Sequence, residues 1–199
     1  MLKLCFVGLG NPGSKYNNTR HNIGKDWLLR LSKSYCEEFF IKTKFEANIT
    51  YSRSKEVLWV IPNNYVNNSG RSLSKLTKNF QLPKNKIIIL HDDLDLNAGE
   101  VRLKEGGGHG GHNGLRDIFE KTASKDYIRI RIGIGHPGNK KEVSDWVLNK
   151  FHPHEISLID IGVALKNNLD NLDTFILTNI DIILIENQIS PIANRMNAI

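Results

Sequence analysis

The sequence predicts a single α/β domain, a twisted mixed β-sheet covered by helices on both sides, and three observations carry that reading. Short apolar runs that read as strands alternate along the chain with stretches of helical period. Clusters of glycine, proline and asparagine separate the two kinds of segment. With 199 residues and a 40% hydrophobic composition the chain can bury one sizeable core, and no linker, low-complexity stretch or internal repeat marks a second domain, so one domain over 1–199 is expected.

Taken in order, residues 2–7 form a buried strand that Gly8, Gly10, Pro12 and Gly13 break. Ile23, Trp27, Leu31 and Tyr35 then recur at helical spacing. Residues 45–53 and 57–62 read as strands joined across 54–56, and 69–80 as a helix with Leu73, Leu76 and Phe80 on one face. An isoleucine run makes 86–90 a buried strand, ending at His91, Asp92 and Asp93. Residues 101–104 form a short strand ahead of the glycine-rich 106–114, and a helix is expected near 115–121. Residues 127–135 alternate strictly, placing Ile128, Ile130, Ile132 and Ile134 on one face and Arg129, Arg131 and Gly133 on the other. From Val143 the pattern is mostly helical until a tail after Pro191.

The net charge of +6 favours an acidic partner such as nucleic acid, although the 27 basic residues are dispersed, so folding must assemble any electrostatic footprint. Cys5 and Cys36 are too few for a disulfide framework and read as buried free thiols in a reducing compartment. With no signal-type segment and no apolar run of spanning length, a cytoplasmic protein without membrane attachment is expected.

Polar residues suited to chemistry gather after the strands: Asn11, Tyr16 and His21 after the first, Tyr65 and Asn67 after the third, His91, Asp92 and Asp93 after the fourth, and His109, His112 and Asn113 after the fifth. Open α/β sheets bind ligands along that edge, so these loops are expected to converge. A histidine whose tautomer an aspartate fixes is a general base, and nearby amides can steady an oxyanion. Because no serine or cysteine lies in a G-x-S-x-G context, water is the expected nucleophile.

Simpler readings of the same residues stand beside this one. Gly8, Gly10 and Gly13 match the dinucleotide pattern G-x-G-x-x-G, but residues 14–20 are polar and aperiodic where that site needs a helix N-terminus. His91, Asp92, Asp93, His109 and His112 offer metal ligands, yet without helical H-x-x-x-H spacing. Asn11 could close a turn, Asn67 and Asn113 could cap the helices that follow them, and Lys104 and Arg131 could be solvated strand charges.

Five boxes carry a resemblance: GLGNPG-x-x-Y-x-x-T-R-H-N-x-G at 8–24, N-x-S-G at 67–70, HDDLDL at 91–96, GGGHGGHNGL at 106–115 and RIGIGHPG at 131–138. In this order and spacing, over essentially the whole chain, the sequence resembles bacterial peptidyl-tRNA hydrolase. The resemblance implies a phosphorylase/hydrolase-like fold and cleavage, without metal or cofactor, of the ester between peptide and tRNA. It implies that His21 activates water, that Asp92 orients and stabilises it, and that Asn11 discriminates blocked from unblocked aminoacyl esters. Asn67 and Asn113 would hold the peptide backbone and terminal nucleotide, Tyr16 and Tyr65 would line the cleft, and Lys104 and Arg131 would clamp the phosphate at the tRNA 5′ end. The implied partner is peptidyl-tRNA, met by a monomer at the acceptor stem and 3′ end. Val66, Asn68 and Asn97 depart from residues common in the family (methionine, an apolar residue and proline), and the first two bear on the shape of the peptide channel. A non-catalytic RNA-binding relative of the same fold is the alternative, and a metal-dependent hydrolase a weaker third.

Overall fold

Alternation within the strands sorts the core into two layers. In β1 (Leu4–Gly8), Leu4 and Phe6 join one apolar cluster while Cys5 and Val7 join the other, so the sheet is buried on both faces. The computed structural model describes residues 2–33, 36 and 38–160, and the seven strands among them form one sheet in the order β2-β3-β4-β1-β5-β7-β6. The remaining strands are β2 (Phe40–Lys42), β3 (Ala47–Tyr51), β4 (Val57–Pro62), β5 (Ile87–Asp93), β6 (Val101–Glu105) and β7 (Ile128–Gly133). β1 runs parallel to β4 and β5, β5 runs parallel to β7, and the flanking pairs β2–β3, β3–β4 and β6–β7 are antiparallel. This is the predicted mixed α/β sheet covered on both sides.

Helix α1 (Ile23–Ser32) covers one face with Ile23, Trp27 and Leu28; α2 (Ser69–Phe80) and α3 (Asn113–Thr122) cover the other with Leu73, Leu76, Leu115, Ile118 and Phe119. Trp27 is 1% exposed, and truncating such a side chain to alanine costs about 3–5 kcal/mol. Two glycines set close approaches, of α1 to the sheet and of α2 to α3. A Cβ on Gly24 would lie 2.3 Å from the Leu90 carbonyl oxygen, and one on Gly70 2.3 Å from that of Asp117. At Gly70 the gain is direct: its N–H donates to Asp117 Oδ2 at 2.7 Å, so α3 caps the N-terminus of α2.

Several boundaries differ from those expected. The strand expected over 45–53 is shorter, because residues Thr43–Phe45 form a 3-10 turn closed by Glu46 in the left-handed region, at φ 52°. The edge strand β2, whose three residues are exposed, was not expected. β5 does not stop at Leu90: pairing of His91 with Arg131, Asp92 with Ile132 and Asp93 with Gly133 carries the strand through the acidic box, so these residues lie in a strand and not in a loop. β1 ends one residue later than expected, β6 gains Glu105, α3 starts at Asn113, and β7 spans only Ile128–Gly133. The polar face assigned to β7 is also corrected, since Arg129 is 3% exposed. Of the helical C-terminal pattern, α4 (Val143–Leu148) and α5 (Pro153–Ile156) are described; Tyr35 and the region after Asp160 lie outside the described residues. Cys5 and Cys36 are free thiols, each pushed up to about 12 by burial. Among the described residues no helix is long and apolar enough to cross a membrane.

Candidate active site

The carboxyl ends of β1, β4, β5 and β7 share one edge, and the loops leaving them meet around a three-residue 3-10 turn, Arg20–Asn22. Its three side chains go to three places. Asn22 accepts the Asn11 N–H on Oδ1 at 2.7 Å and returns a bond from Nδ2 to the Asn11 carbonyl at 3.1 Å. His21 turns to Asp92 and Arg20 to Lys150 and Glu155. Asn11, 7% exposed, then accepts the Val66 N–H on Oδ1 at 2.9 Å, which ties the loop after β1 to the loop after β4. Its Nδ2 is the donor left to offer a ligand.

Asp92 is the centre of the arrangement. One oxygen, Oδ1, accepts from His21 Nδ1 at 2.8 Å and from His112 Nε2 at 3.0 Å. The other nitrogen of His112, Nδ1, accepts the N–H groups of Gly114 and Leu115 at 3.1 and 3.2 Å, so His112 is the N-cap of α3. Two donors on Nδ1 place the His112 proton on Nε2, where it points at Asp92. Burial alone would raise the Asp92 carboxyl, but the charges and hydrogen bonds of His21 and His112 hold it well below the usual carboxylate range. An ionised Asp92 requires the His21 proton on Nδ1 and leaves Nε2 as a base. Burial disfavours protonated His21, yet the Asp92 charge and hydrogen bond outweigh it and raise the pKa above the ordinary 6.5. Behind them His91, 1% exposed, donates Nδ1–H to the Asp92 carbonyl at 2.7 Å, and burial, with His112 nearby, pushes it down to about 3.

A cleft of about 920 Å³ opens over this group. His21, Asp92, Asn11, Tyr16, Tyr65, Asn67 and Asn113 all line it, with His109, Gly110, Gly111, His136 and Lys140 at its borders and an apolar wall from Leu94, Val143, Val147 and Leu148. Tyr16 and Tyr65 meet edge to face with ring centroids 6.1 Å apart. The capping roles considered for the asparagines fall to other residues: His112 caps α3, Asn68 occupies the N-cap position of α2, and the exposed Asn67 and Asn113 cap neither helix.

Lys104 and Arg131 are not brought into the cleft lining. Register pairs Lys104 with Arg129 and Arg131 with Arg102, so the two lie diagonally on the β6–β7 edge, Lys104 exposed and Arg131 donating from Nε to Asp93 Oδ2 at 2.6 Å. Arg129, opposite Lys104, binds the glycine loop, donating to the carbonyls of Gly106 and Gly108. The roles of His112 and Arg129 were not legible beforehand, because their partners (Asp92 and the first turn of α3 for His112, the glycine loop for Arg129) are set by a backbone path the sequence does not reveal.

The ligand atoms of His21, Asp92 and His112 lie within 4.8 Å of one another, a spacing suited to a metal ion. The donor set does not fit one. With two backbone N–H groups on Nδ1, His112 carries its proton on the very nitrogen that would have to coordinate.

Comparison with known proteins agrees in sequence and in fold. The family model described as peptidyl-tRNA hydrolase matches residues 5–191. A peptidyl-tRNA hydrolase of Francisella tularensis subsp. holarctica is 41% identical over 173 residues, 86% of this chain and 90% of the relative. One of Histophilus somni is 41% identical over 197 residues, covering 97% and 95%. The crystal structure of peptidyl-tRNA hydrolase from Acinetobacter baumannii superposes with a TM-score of 0.79 at 38% identity, covering 90% of this chain and 94% of that one.

Proposed function

The chain belongs to the peptidyl-tRNA hydrolase family and hydrolyses peptidyl-tRNA at the ester between peptide and tRNA, and from that premise we propose that His21 is its general base, with Asp92 as the carboxylate that orients it. The observation that carries this reading is the double use of Asp92 Oδ1, which holds the His21 proton on Nδ1 and leaves Nε2 to take one from water. The hydroxide so formed attacks the ester carbonyl. As the tetrahedral intermediate collapses, the imidazolium returns its proton to the departing ribose oxygen, and Asp92 stabilises the charge in between.

Asn11 Nδ2 meets the acylated amino end of the substrate, so a free ammonium there would face an N–H donor. Asn67 and Asn113, with Tyr16 and Tyr65, hold the peptide backbone and the terminal nucleotide. The peptide runs along the apolar wall of α4, and Val66 and Asn68, which line the same cleft, shape the channel. Lys104 and Arg131 take the 5′ phosphate from the β6–β7 edge beside the cleft, so that a monomer reads both the 3′ end and the acceptor stem. The whole chain, 1–199, acts as one hydrolase domain in the cytoplasm, without metal or cofactor.

The test is release of tRNA from N-acetylated aminoacyl-tRNA by the purified protein and by His21→Ala. General-base assistance is worth about 10²–10⁴-fold, so the variant should bind the substrate and lose that factor in rate. Binding without turnover by the unsubstituted protein would instead make it a silent RNA-binding relative.

A further inference from the structure

Arg20, one residue from His21, is only 1% exposed, and its bonding is unlike that of an ordinary buried ion pair. Nη2 donates to Glu155 Oε2 at 2.6 Å and Nη1 to the Lys150 carbonyl at 2.7 Å, while the guanidinium lies 3.7 Å from the ring centroid of Trp146. The main chain repeats the connection: Arg20 N–H donates to the Asn149 carbonyl at 3.0 Å and Thr19 bridges to Lys150. Every one of these partners of the Arg20 side chain and N–H belongs to residues 146–155. That segment includes the end of α4, whose Val143, Val147 and Leu148 form the apolar wall of the cleft. Its far side is fixed in turn, because Trp146 Nε1 donates to the Gly135 carbonyl at 3.0 Å and Glu155 Oε2 accepts the His152 N–H at 2.7 Å. The wall and the base therefore share one anchor.

We infer that Arg20 is a positioning residue: it sets the α4 wall against the turn that bears His21, so that a peptide lying on the wall places the ester at His21 Nε2. This rests on the reading of that wall as the peptide side of the cleft. Contacts made far from the reacting atoms then contribute to the rate, since binding energy on the peptide is converted into orientation at the ester. Lysine cannot replace the arginine here, because the stacked planar fork that reaches Glu155 and Lys150 together is lost in a single ammonium.

The test compares kcat/KM for a tRNA bearing one N-acetylated aminoacyl residue with that for a tRNA bearing a peptide of several residues. The ratio of the two is independent of how much of a preparation is folded. The expected result is a ratio well above one in the unsubstituted protein, on the order of tenfold, falling toward one in Arg20→Lys. Glu155→Gln, which keeps an oxygen acceptor for both Arg20 and His152, should lower the ratio less and serves if Arg20→Lys does not fold. Equal losses on both substrates, with the ratio preserved, would make Arg20 merely structural and overturn the inference. A ratio near one in the unsubstituted protein would overturn it as well by removing the peptide from the wall, without touching the assignment of His21.

Discussion

The inner and outer ends of the cleft differ in how their polar groups are held. At the inner end the side chains of Asp92, His112 and His21 are 3%, 7% and 13% exposed, and every one is fixed by a hydrogen bond shorter than 3.1 Å. At the outer end Tyr65, Asn67 and Asn113 are exposed, Tyr65 by 50%, and Lys104 is exposed on the β6–β7 edge outside the cleft lining. A buried polar group without a partner costs about 1–3 kcal/mol, so burial forces the inner network into one arrangement before substrate arrives. Inner substitutions should therefore change kcat, and outer ones KM and its dependence on salt.

After His21→Ala, the largest effect is expected from Asp92→Asn. The amide can present an N–H to His21 Nδ1 and move the proton to Nε2, removing the base, so kcat should fall by about 10²-fold or more with little change in KM. Steady-state kinetics check this, and a loss carried by KM alone would erase the contrast between the two ends.

His112→Ala should come next, because it removes both a partner of Asp92 and the cap of α3. A thermal melt should show a loss of about 0.5–2 kcal/mol, together with a reduced kcat. Asn67→Ala and Asn113→Ala should do the opposite, raising KM while the melt stays within about 0.5 kcal/mol of the unsubstituted protein. A large melting loss in either would return that asparagine to a structural role.

His91 ties the inner network to acid stability. Its pKa is about 3 when folded against an ordinary 6.5, so between those values only the unfolded chain takes up the proton. Its share of stability is intact above 6.5 and is lost as pH falls, by about 1.4 kcal/mol per pH unit. Asp92 works in the same direction, since its depressed carboxyl favours the fold only while ionised. His91→Asn should flatten the decline in denaturation midpoint between pH 6 and 4, values inside that window. An unchanged decline would mean that His91 is not buried neutral.

The smallest effect belongs to the outer cations. Replacing Lys104 and Arg131 with alanine should raise KM for full-length substrate with little change in kcat, and make the salt dependence of binding shallower by roughly one or two units of slope. A substrate without the 5′ phosphate should be nearly indifferent, and equal effects on both substrates would separate these residues from phosphate.

Helix α2 and strand β4 fall where hydrophobic period and flanking residues put them, at Ser69–Phe80 and Val57–Pro62. That His21, Asp92 and Asn11 would come together was legible because their boxes lie near the ends of strands. What was not legible depends on partners that only the folded backbone brings into place, some near in sequence and some distant. Strict alternation gave β7 a polar face, but not the glycine loop that buries Arg129 there. His112 looked like a metal ligand until the Gly114 and Leu115 N–H groups were seen on its Nδ1. Arg20 meets its carboxylate 135 residues away, a pairing that no local pattern encodes.

The assignment of His21 is tested most directly by the pH dependence of kcat for tRNA release from N-acetylated aminoacyl-tRNA, measured in a chelator. Only neutral imidazole accepts a proton, and Asp92 raises the pKa of His21 above 6.5. The expected result is full activity in the chelator and a kcat that falls as pH drops through a midpoint above 6.5, a limb that disappears with the activity in His21→Ala. Loss of activity to the chelator, or a His21→Ala protein that keeps both the limb and a near-normal rate, would contradict it.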